Sequence, residues 1–246
     1  GNIKDGMLFD EHGGRIMDTK ALRQKILDLA IRGKLVPQDP NDEPAEVLLE
    51  RIREQKQQMF KEGKLKKKDI KNDTIIFKGE DNLHYEKFAD GSVKCIEDEI
   101  PFELPEGWAW SKIGPLCEYI TSGSRDWAQY YSEAGILFLR MGNLSRESFD
   151  LRLENIQRVN LPDNAEGTRA RVAENDLLFS ITAEIGMLGL IPANFEEAYI
   201  NQHVGLIRFL KDAQTKFFPY ILMSEFCRDQ YCTVQCGMKN SFRLDN

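Results

Sequence analysis

The sequence predicts an α+β protein in which a short helical N-terminal arm precedes a mixed-sheet domain. Two observations support this fold class. Apolar residues between positions 18 and 63 recur at helical spacing. From Leu104 onward, short runs rich in aromatic and β-branched residues are separated by glycines. The chain of 246 residues is long enough for one moderately large domain with an appendage.

The arm begins after a glycine-rich leader. Residues 1–16 show no sustained hydrophobic period, so we expect a flexible leader there. In the arm, which we place at residues 17–63, Leu22, Ile26 and Leu29 share one face of an amphipathic helix. Gly33 is positioned to end this helix.

A second helix and a connector follow. Asp42 is the predicted cap of a helix that Pro44 opens and that runs to about Gly63. The connector, residues 64–103, starts with a lysine-dense stretch and continues with two β-like pieces that indicate a hairpin or an ordered link. The lysines favour a solvated surface, with contact to a DNA backbone left open.

Residues 104–246 form the predicted globular domain. Hydrophobic patterning predicts four strands and one helix: strands near 108–113, 135–141, 176–182 and 204–210, and a helix over 217–232.

Charge argues against a non-specific nucleic-acid binder. The formal net charge is −7, whereas phosphate affinity comes from clustered lysine and arginine. Most lysines precede residue 105 and most arginines follow it. Because the planar arginine fork suits guanine edges and phosphates, this asymmetry is compatible with specific recognition; ordinary surface ion pairs are the alternative.

Motifs for catalysis and cofactor binding are missing from the sequence. There is no GxxxxGK[ST], GxSxG or HExxH, and no GxGxxG follows a strand. The five cysteines form no CxxC pair, and the three histidines are scattered, so we expect neither a metal nor a cofactor. Without an apolar run of about 18 residues or a secretory signal, we expect no membrane association and a cytoplasmic protein.

Several segments together resemble the specificity subunits of type I restriction-modification systems. The helical region 22–52, with its Gly-Lys-Leu-Val-Pro-Gln turn, resembles the helices that precede a target-recognition domain in that family. Four further segments are similar to the start and the inner strands of such a domain: residues 104–124, 138–145, 174–182 and 200–209.

The resemblance implies a non-catalytic subunit that recognises double-stranded DNA. Family members carry two recognition domains and bind methyltransferase subunits and the restriction subunit. Only one domain is visible here, which indicates either a trimmed piece or a natural half-subunit that would form a homodimer. Two alternatives stay open: a metal-dependent nuclease with an unrecognised site, and an assembly scaffold that never contacts bases.

The first candidate DNA-binding loop spans residues 121–131. Arg125 suits guanine or phosphate, Gln129 suits adenine, and the aromatic side chains suit packing against sugars, although burial in the core is the competing interpretation for them. The candidate residues of this loop are Ser122, Ser124, Arg125, Trp127, Gln129, Tyr130 and Tyr131.

Three other groups complete the expected site. Residues 140–148 surround a glycine turn and mix groups suited to base and phosphate contacts. Residues 201–203 suit either adenine recognition or structural hydrogen bonds. The candidates outside the first loop are Asn143, Ser145 and Arg146, and, near the C-terminal end, Lys239, Asn240 and Arg243. The resemblance further implies that Leu22, Ile26 and Leu29 face partner helices; packing against the flank of this chain's own domain is the alternative.

Overall fold

The computed structural model describes residues 8–9, 15–16, 18–162, 168–228 and 230, and it confirms the α+β class. The helices among these residues are α1 (Thr19–Ile31), α2 (Ala45–Lys61), α3 (Lys67–Ile70) and α4 (Phe217–Leu222). The strands are β1 (Leu8–Phe9), β2 (Arg15–Ile16), β3 (Ile75–Lys78), β4 (His84–Lys87), β5 (Val93–Cys95), β6 (Cys117–Ser122), β7 (Tyr131–Ser132), β8 (Ile136–Leu139), β9 (Arg158–Val159), β10 (Leu177–Ser180), β11 (Leu188–Leu190), β12 (Ala198–Ile200) and β13 (Val204–Phe209).

Helix α1 has the predicted end and a specific cap at its start. The Asp18 carboxylate accepts hydrogen bonds from the backbone N–H groups of Lys20 and Ala21, both at 3.0 Å. Gly33 follows the helix with φ of +63°, and a Cβ there would lie 2.6 Å from Pro105 Cγ. Glycine therefore permits both the left-handed turn and close contact with the start of the globular domain.

Helix α2 attaches the arm to the domain. Its N-cap is Pro44, which makes no side-chain cap, so the prediction that Asp42 caps the helix is wrong. Ile52 is buried in the domain core. The equally buried Lys56 donates from Nζ to Asp73 Oδ1 and to the Gly114 carbonyl, each at 2.9 Å. Because Lys56 is paired on both sides, its burial is compensated and the helix orientation is fixed.

The connector is more regular than a single hairpin. Strands β3, β4 and β5 form a three-stranded antiparallel sheet in that order. Both β-like pieces of the sequence are thus confirmed as strands, and the second of them supplies two.

The described residues of the globular part form two four-stranded sheets. One is antiparallel, in the order β11-β10-β13-β6, and the other is mixed, in the order β12-β8-β9-β7 with β12 parallel to β8. The predicted strands near 135–141, 176–182 and 204–210 are confirmed. The strand predicted over 108–113 is wrong: that segment is irregular, and β6 starts only after the 3-10 turn Gly114–Leu116.

The predicted helix over 217–232 is interrupted. It ends after Leu222, and residues 225–228 are helical again. Ser224 lies at the break, where its hydroxyl donates to the Ile221 carbonyl and accepts from the Cys227 N–H. A serine that caps a new helical turn accounts for the break.

The core lies on both faces of the antiparallel sheet. Leu177 and Phe179 of β10 pack in a cluster that includes Ile52 of α2 and Leu222 of α4. Leu178 points to the other face, into a cluster with residues of β8 and β12 in the mixed sheet. The antiparallel sheet is therefore the middle layer between helices and the second sheet. No helix in the described part of the chain is long and apolar enough to cross a membrane.

Candidate functional site

Four chain segments meet at one edge of the two packed sheets. They follow β6, β8 and β10, or connect β12 to β13. We call them the loop edge; it consists of residues 122–130, 140–148, 181–187 and 201–203.

Backbone hydrogen bonds hold these segments together. Ser124 bridges Asn201, and its N–H donates to the Ile200 carbonyl at 3.2 Å. The Ile181 N–H donates to the His203 carbonyl at 3.0 Å. Segments distant in sequence thus form one surface on a rigid support, as binding loops generally require.

The first loop, residues 122–130, passes very close to the end of β12 as it leaves β6. A Cβ on Gly123 would lie 2.1 Å from the Ile200 carbonyl oxygen, so only glycine fits. Asp126 then adopts φ of +61° and turns the chain. Arg125 and Gln129 are exposed as a result, and Gln129 Nε2 donates to the Asp126 carbonyl at 3.1 Å.

The aromatic residues of this loop differ in exposure. Trp127 is buried, with its ring centroid 5.6 Å from that of Phe138 and 5.3 Å from that of Tyr199. Its burial matches the interpretation that it belongs to the core, because the rings of Phe138 and Tyr199 cover it. Tyr130 is half-buried, whereas Tyr131 is exposed at the start of β7. Trp127 therefore supports the loop and Tyr131 remains accessible.

Asn143 and Ser145 of the second loop, residues 140–148, are buried, and their hydrogen bonds connect this loop to Arg152. Asn143 Oδ1 accepts from the Arg140 N–H at 2.9 Å, and its Nδ2 donates to the Arg152 carbonyl at 2.7 Å. Ser145 Oγ accepts from Arg152 Nη2 at 3.1 Å. These side chains shape the loop rather than face solvent, in contrast to the exposed Arg146.

The segment 181–187 was not predicted from the sequence to be part of the site. Glu184 Oε2 lies 3.6 Å from Arg146 Nε, and Thr182 Oγ1 lies 2.8 Å from His203 Nδ1. Gln202 Nε2 is 3.2 Å from His203 Nε2. The sequence signal available was weak: polar residues directly after a continuous apolar strand.

Two predicted groups have other outcomes. Ser122 is exposed at the end of β6, and Ser124 is half-buried in its bridge to Asn201. The C-terminal candidates Lys239, Asn240 and Arg243 lie outside the described residues. Within the described ranges, no group of three or more His, Cys, Asp or Glu side chains is placed to hold a metal ion.

Comparison with curated proteins identifies relatives of the chain. It is 32% identical over 188 residues, 74% of its length, to the specificity subunit of the type I restriction enzyme EcoAI from Escherichia coli. It is 47% identical over 97 residues to the corresponding subunit of EcoEI from the same organism. This chain is a relative of type I restriction enzyme specificity subunits. It spans 28% of the EcoAI subunit and 13% of the EcoEI subunit.

Two solved structures are also similar to this relative of the specificity subunits. One, from work on assembly and conformational transition of the type I R-M system, covers 59% of this chain and 34% of its own, with 18% identity and a TM-score of 0.40. The HsdS subunit from Thermoanaerobacter tengcongensis covers 50% of this chain and 29% of its own, with 19% identity and a TM-score of 0.35. No protein-family model matches the chain.

Proposed function

We propose that this chain recognises a specific DNA sequence as a type I specificity subunit, or as one half of such a subunit. In this role it directs methyltransferase and restriction subunits to their DNA site and catalyses no reaction itself. The protein acts in the cytoplasm. The observation that supports the proposal is the similarity to the EcoAI specificity subunit over 188 residues. Nothing in the described residues favours the nuclease alternative.

The chemistry of the loop edge suits base recognition. Arg125, Gln129, Arg146, Glu184 and His203 offer donors and acceptors on the outer side of the loops. Base edges in the major groove carry a distinct donor and acceptor pattern for each pair, which side chains of this kind can match. Buried hydrogen bonds beneath the loops hold the backbone from which these side chains extend.

Because the net charge is acidic, we expect partner subunits to supply much of the affinity for DNA. With a formal net charge of −7, the isolated chain offers few counterion-releasing contacts overall. We therefore expect weak, salt-sensitive DNA binding by the chain alone, and sequence-dependent binding once methyltransferase subunits are present.

The first prediction concerns Arg125 and Gln129. Replacing both by alanine in the complex with methyltransferase subunits should weaken binding to the methylated target by about 10-fold to 100-fold, because base-edge hydrogen bonds are lost. The target is found by mapping methylated adenines, and affinity is measured by fluorescence anisotropy at several salt concentrations. If one of the two side chains contacts a phosphate instead, its loss would reduce the slope of log affinity against log salt concentration by about 1.

Arg171→Ala is the matched control for this prediction. Arg171 is exposed and pairs with Glu197 at 3.2 Å, at the end of β12 opposite the loop edge. Its replacement should leave DNA affinity and the methylated sequence unchanged. If the double variant behaves like Arg171→Ala, the loop-edge proposal is wrong.

We further propose that the outer face of α1 binds a methyltransferase subunit. Leu22 and Ile26 are each 43% exposed, whereas Leu27 and Ile31 on the inner face are buried against the domain. Leu29 is half-buried beside the outer pair. Exposed aliphatic side chains at this helical spacing suit burial against another helix.

The second prediction follows from that face. Ile26→Asp should weaken binding to methyltransferase subunits by at least about 10-fold, because burying an isoleucine contributes roughly 1.5–3 kcal/mol. Isothermal titration calorimetry measures the change, and circular dichroism checks folding. Val47→Asp is the control, since Val47 is comparably exposed but lies on α2. Equal affinities of the two variants would refute the assignment.

A further inference from the structure

We propose that Arg146 and Glu184 act together as the recognition pair for a single guanine–cytosine base pair. The proposal rests on the proposed function and names the specificity determinant within it. The two side chains come from different loops, after β8 and after β10, and meet at the loop edge, where Arg146 Nε lies 3.6 Å from Glu184 Oε2.

Both side chains are accessible to a ligand. The Arg146 side chain is 44% exposed and that of Glu184 is 64% exposed. Within the described part of the chain, the Nη groups of Arg146 make no hydrogen bond, so its terminal fork is available for contacts outside the chain. An ion pair so open to water adds little to folding stability, so replacing either side chain should leave the fold intact.

The backbone that presents Glu184 is held rigidly from below. Ser180, which is completely buried, donates from Oγ to the Glu184 carbonyl at 2.5 Å and accepts from the Met187 N–H at 2.8 Å. Ile185, the next residue in the chain, is buried in the core. A support of this kind fixes the backbone position from which the carboxylate extends.

Backbone strain at the same point is a second indication. Ala183, directly before Glu184, has φ of +53°, a conformation that L residues with a Cβ rarely adopt. Such strain persists only where the surrounding structure enforces it, and it is concentrated at functional sites. Here it turns the chain outward at the residue that carries the acid.

The backbone that presents Arg146 is also held by hydrogen bonds. Neighbouring Ser145 is buried, and its backbone exchanges hydrogen bonds with Leu188 of β11: Ser145 N–H to Leu188 carbonyl at 2.9 Å and the reverse at 2.8 Å. Because β11 pairs with β10, both loops are fixed to the same two strands. The backbone positions from which the two charged side chains extend are therefore fixed relative to each other.

The hydrogen-bonding pattern of a guanine–cytosine pair matches this arrangement. In the major groove guanine presents two adjacent acceptors, N7 and O6, and cytosine presents the N4 amino donor beside them. The arginine fork donates to the two acceptors while the carboxylate accepts from the amino group. An adenine–thymine pair places its donor between two acceptors, so it cannot satisfy both side chains at once.

The carboxylate also disfavours wrong partners. A negative charge among DNA-facing loops repels phosphates, so it lowers affinity for any complex in which no base amino group satisfies it. Discrimination thus arises from the attractive contact and from the penalty of leaving Glu184 unmatched.

The test compares Glu184→Gln, Arg146→Gln and the double variant in the complex with methyltransferase subunits. Duplexes carrying the methylated target, with each base pair replaced in turn, are used as probes. Each single variant should lose about 5-fold to 100-fold of discrimination at the same guanine–cytosine position, and the double variant should lose no more than the larger single loss.

The control pair is Arg171 and Glu197, which is similarly exposed and lies beyond the other end of β12. Arg171→Gln and Glu197→Gln should leave discrimination unchanged at every position. A uniform loss across positions, or unchanged discrimination in Glu184→Gln, overturns the recognition pair even when the unsubstituted complex is sequence-specific. An unsubstituted complex without sequence preference overturns the proposed function itself.

Discussion

Gly123→Ala is expected to disrupt the loop edge. The added Cβ would lie 2.1 Å from the Ile200 carbonyl oxygen and 2.2 Å from that of Asn201. Both oxygens belong to the backbone, so the clash cannot be relieved by a side-chain rotation. The first loop must move away from β12, which breaks the Ser124 bridge to Asn201.

The expected consequences are a loss of about 1–3 kcal/mol in the free energy of unfolding, typical of overpacking, and a loss of sequence-specific DNA binding. Urea denaturation measures the first, and anisotropy with the methylated target measures the second. Gly142→Ala is the control, because nothing lies within 4 Å of its added Cβ and its φ is ordinary. Equal stabilities of the two variants would show that the close approach is absent.

The helical arm was predictable because its signals are local. Helical spacing, Pro44 and Gly33 act within a few positions of one another, and α1 and α2 match the expected segments closely, although the predicted Asp42 cap is wrong. Strand β6 was misplaced for the opposite reason. The aromatic run at 108–113 looks like a strand, but its rings pack on other elements, as Trp108 does on Phe217.

The site was only partly predictable because exposure depends on tertiary contacts. Trp127 and Arg125 lie in the same loop, and the sequence alone could not show that the first is covered by Tyr199. Likewise, Asn143 looks like a base-contacting residue until its hydrogen bonds within the loop are seen. The pairing of Arg146 with Glu184 joins two loops that are distant in sequence.

At the end of the middle sheet opposite the loop edge, an ion pair with a buried carboxylate supports the sheet. Arg208 of β13 donates from Nε and Nη2 to the two oxygens of Asp176 at 2.8 and 2.6 Å, and from Nη1 to the Tyr119 hydroxyl at 2.6 Å. Asp176 also accepts from the Ala173 N–H at 2.6 Å. Burial raises the pKa of Asp176, because loss of water penalises its carboxylate more than Arg208 compensates.

The second large effect is therefore expected from Asp176→Ala. Removing the buried carboxylate leaves Arg208 Nε and the Ala173 N–H without their acceptor, whereas Arg208 Nη2 keeps the Arg171 carbonyl at 3.1 Å. Breaking a buried pair from one side typically costs about 3–5 kcal/mol, because the remaining charge is uncompensated. Arg208 keeps its bond to Tyr119, which favours the lower end of that range.

Urea denaturation checks this expectation through the midpoint at constant m-value. Asp176→Asn should cost less than Asp176→Ala, because one acceptor oxygen remains for Arg208 or Ala173. Glu197→Ala removes an exposed partner of Arg171 and should change stability by no more than about 0.5 kcal/mol. A loss below about 1 kcal/mol in Asp176→Ala would mean that Arg208 finds another acceptor. The pair would then not stabilise the antiparallel sheet, whose strands β6 and β10 position two loops of the loop edge.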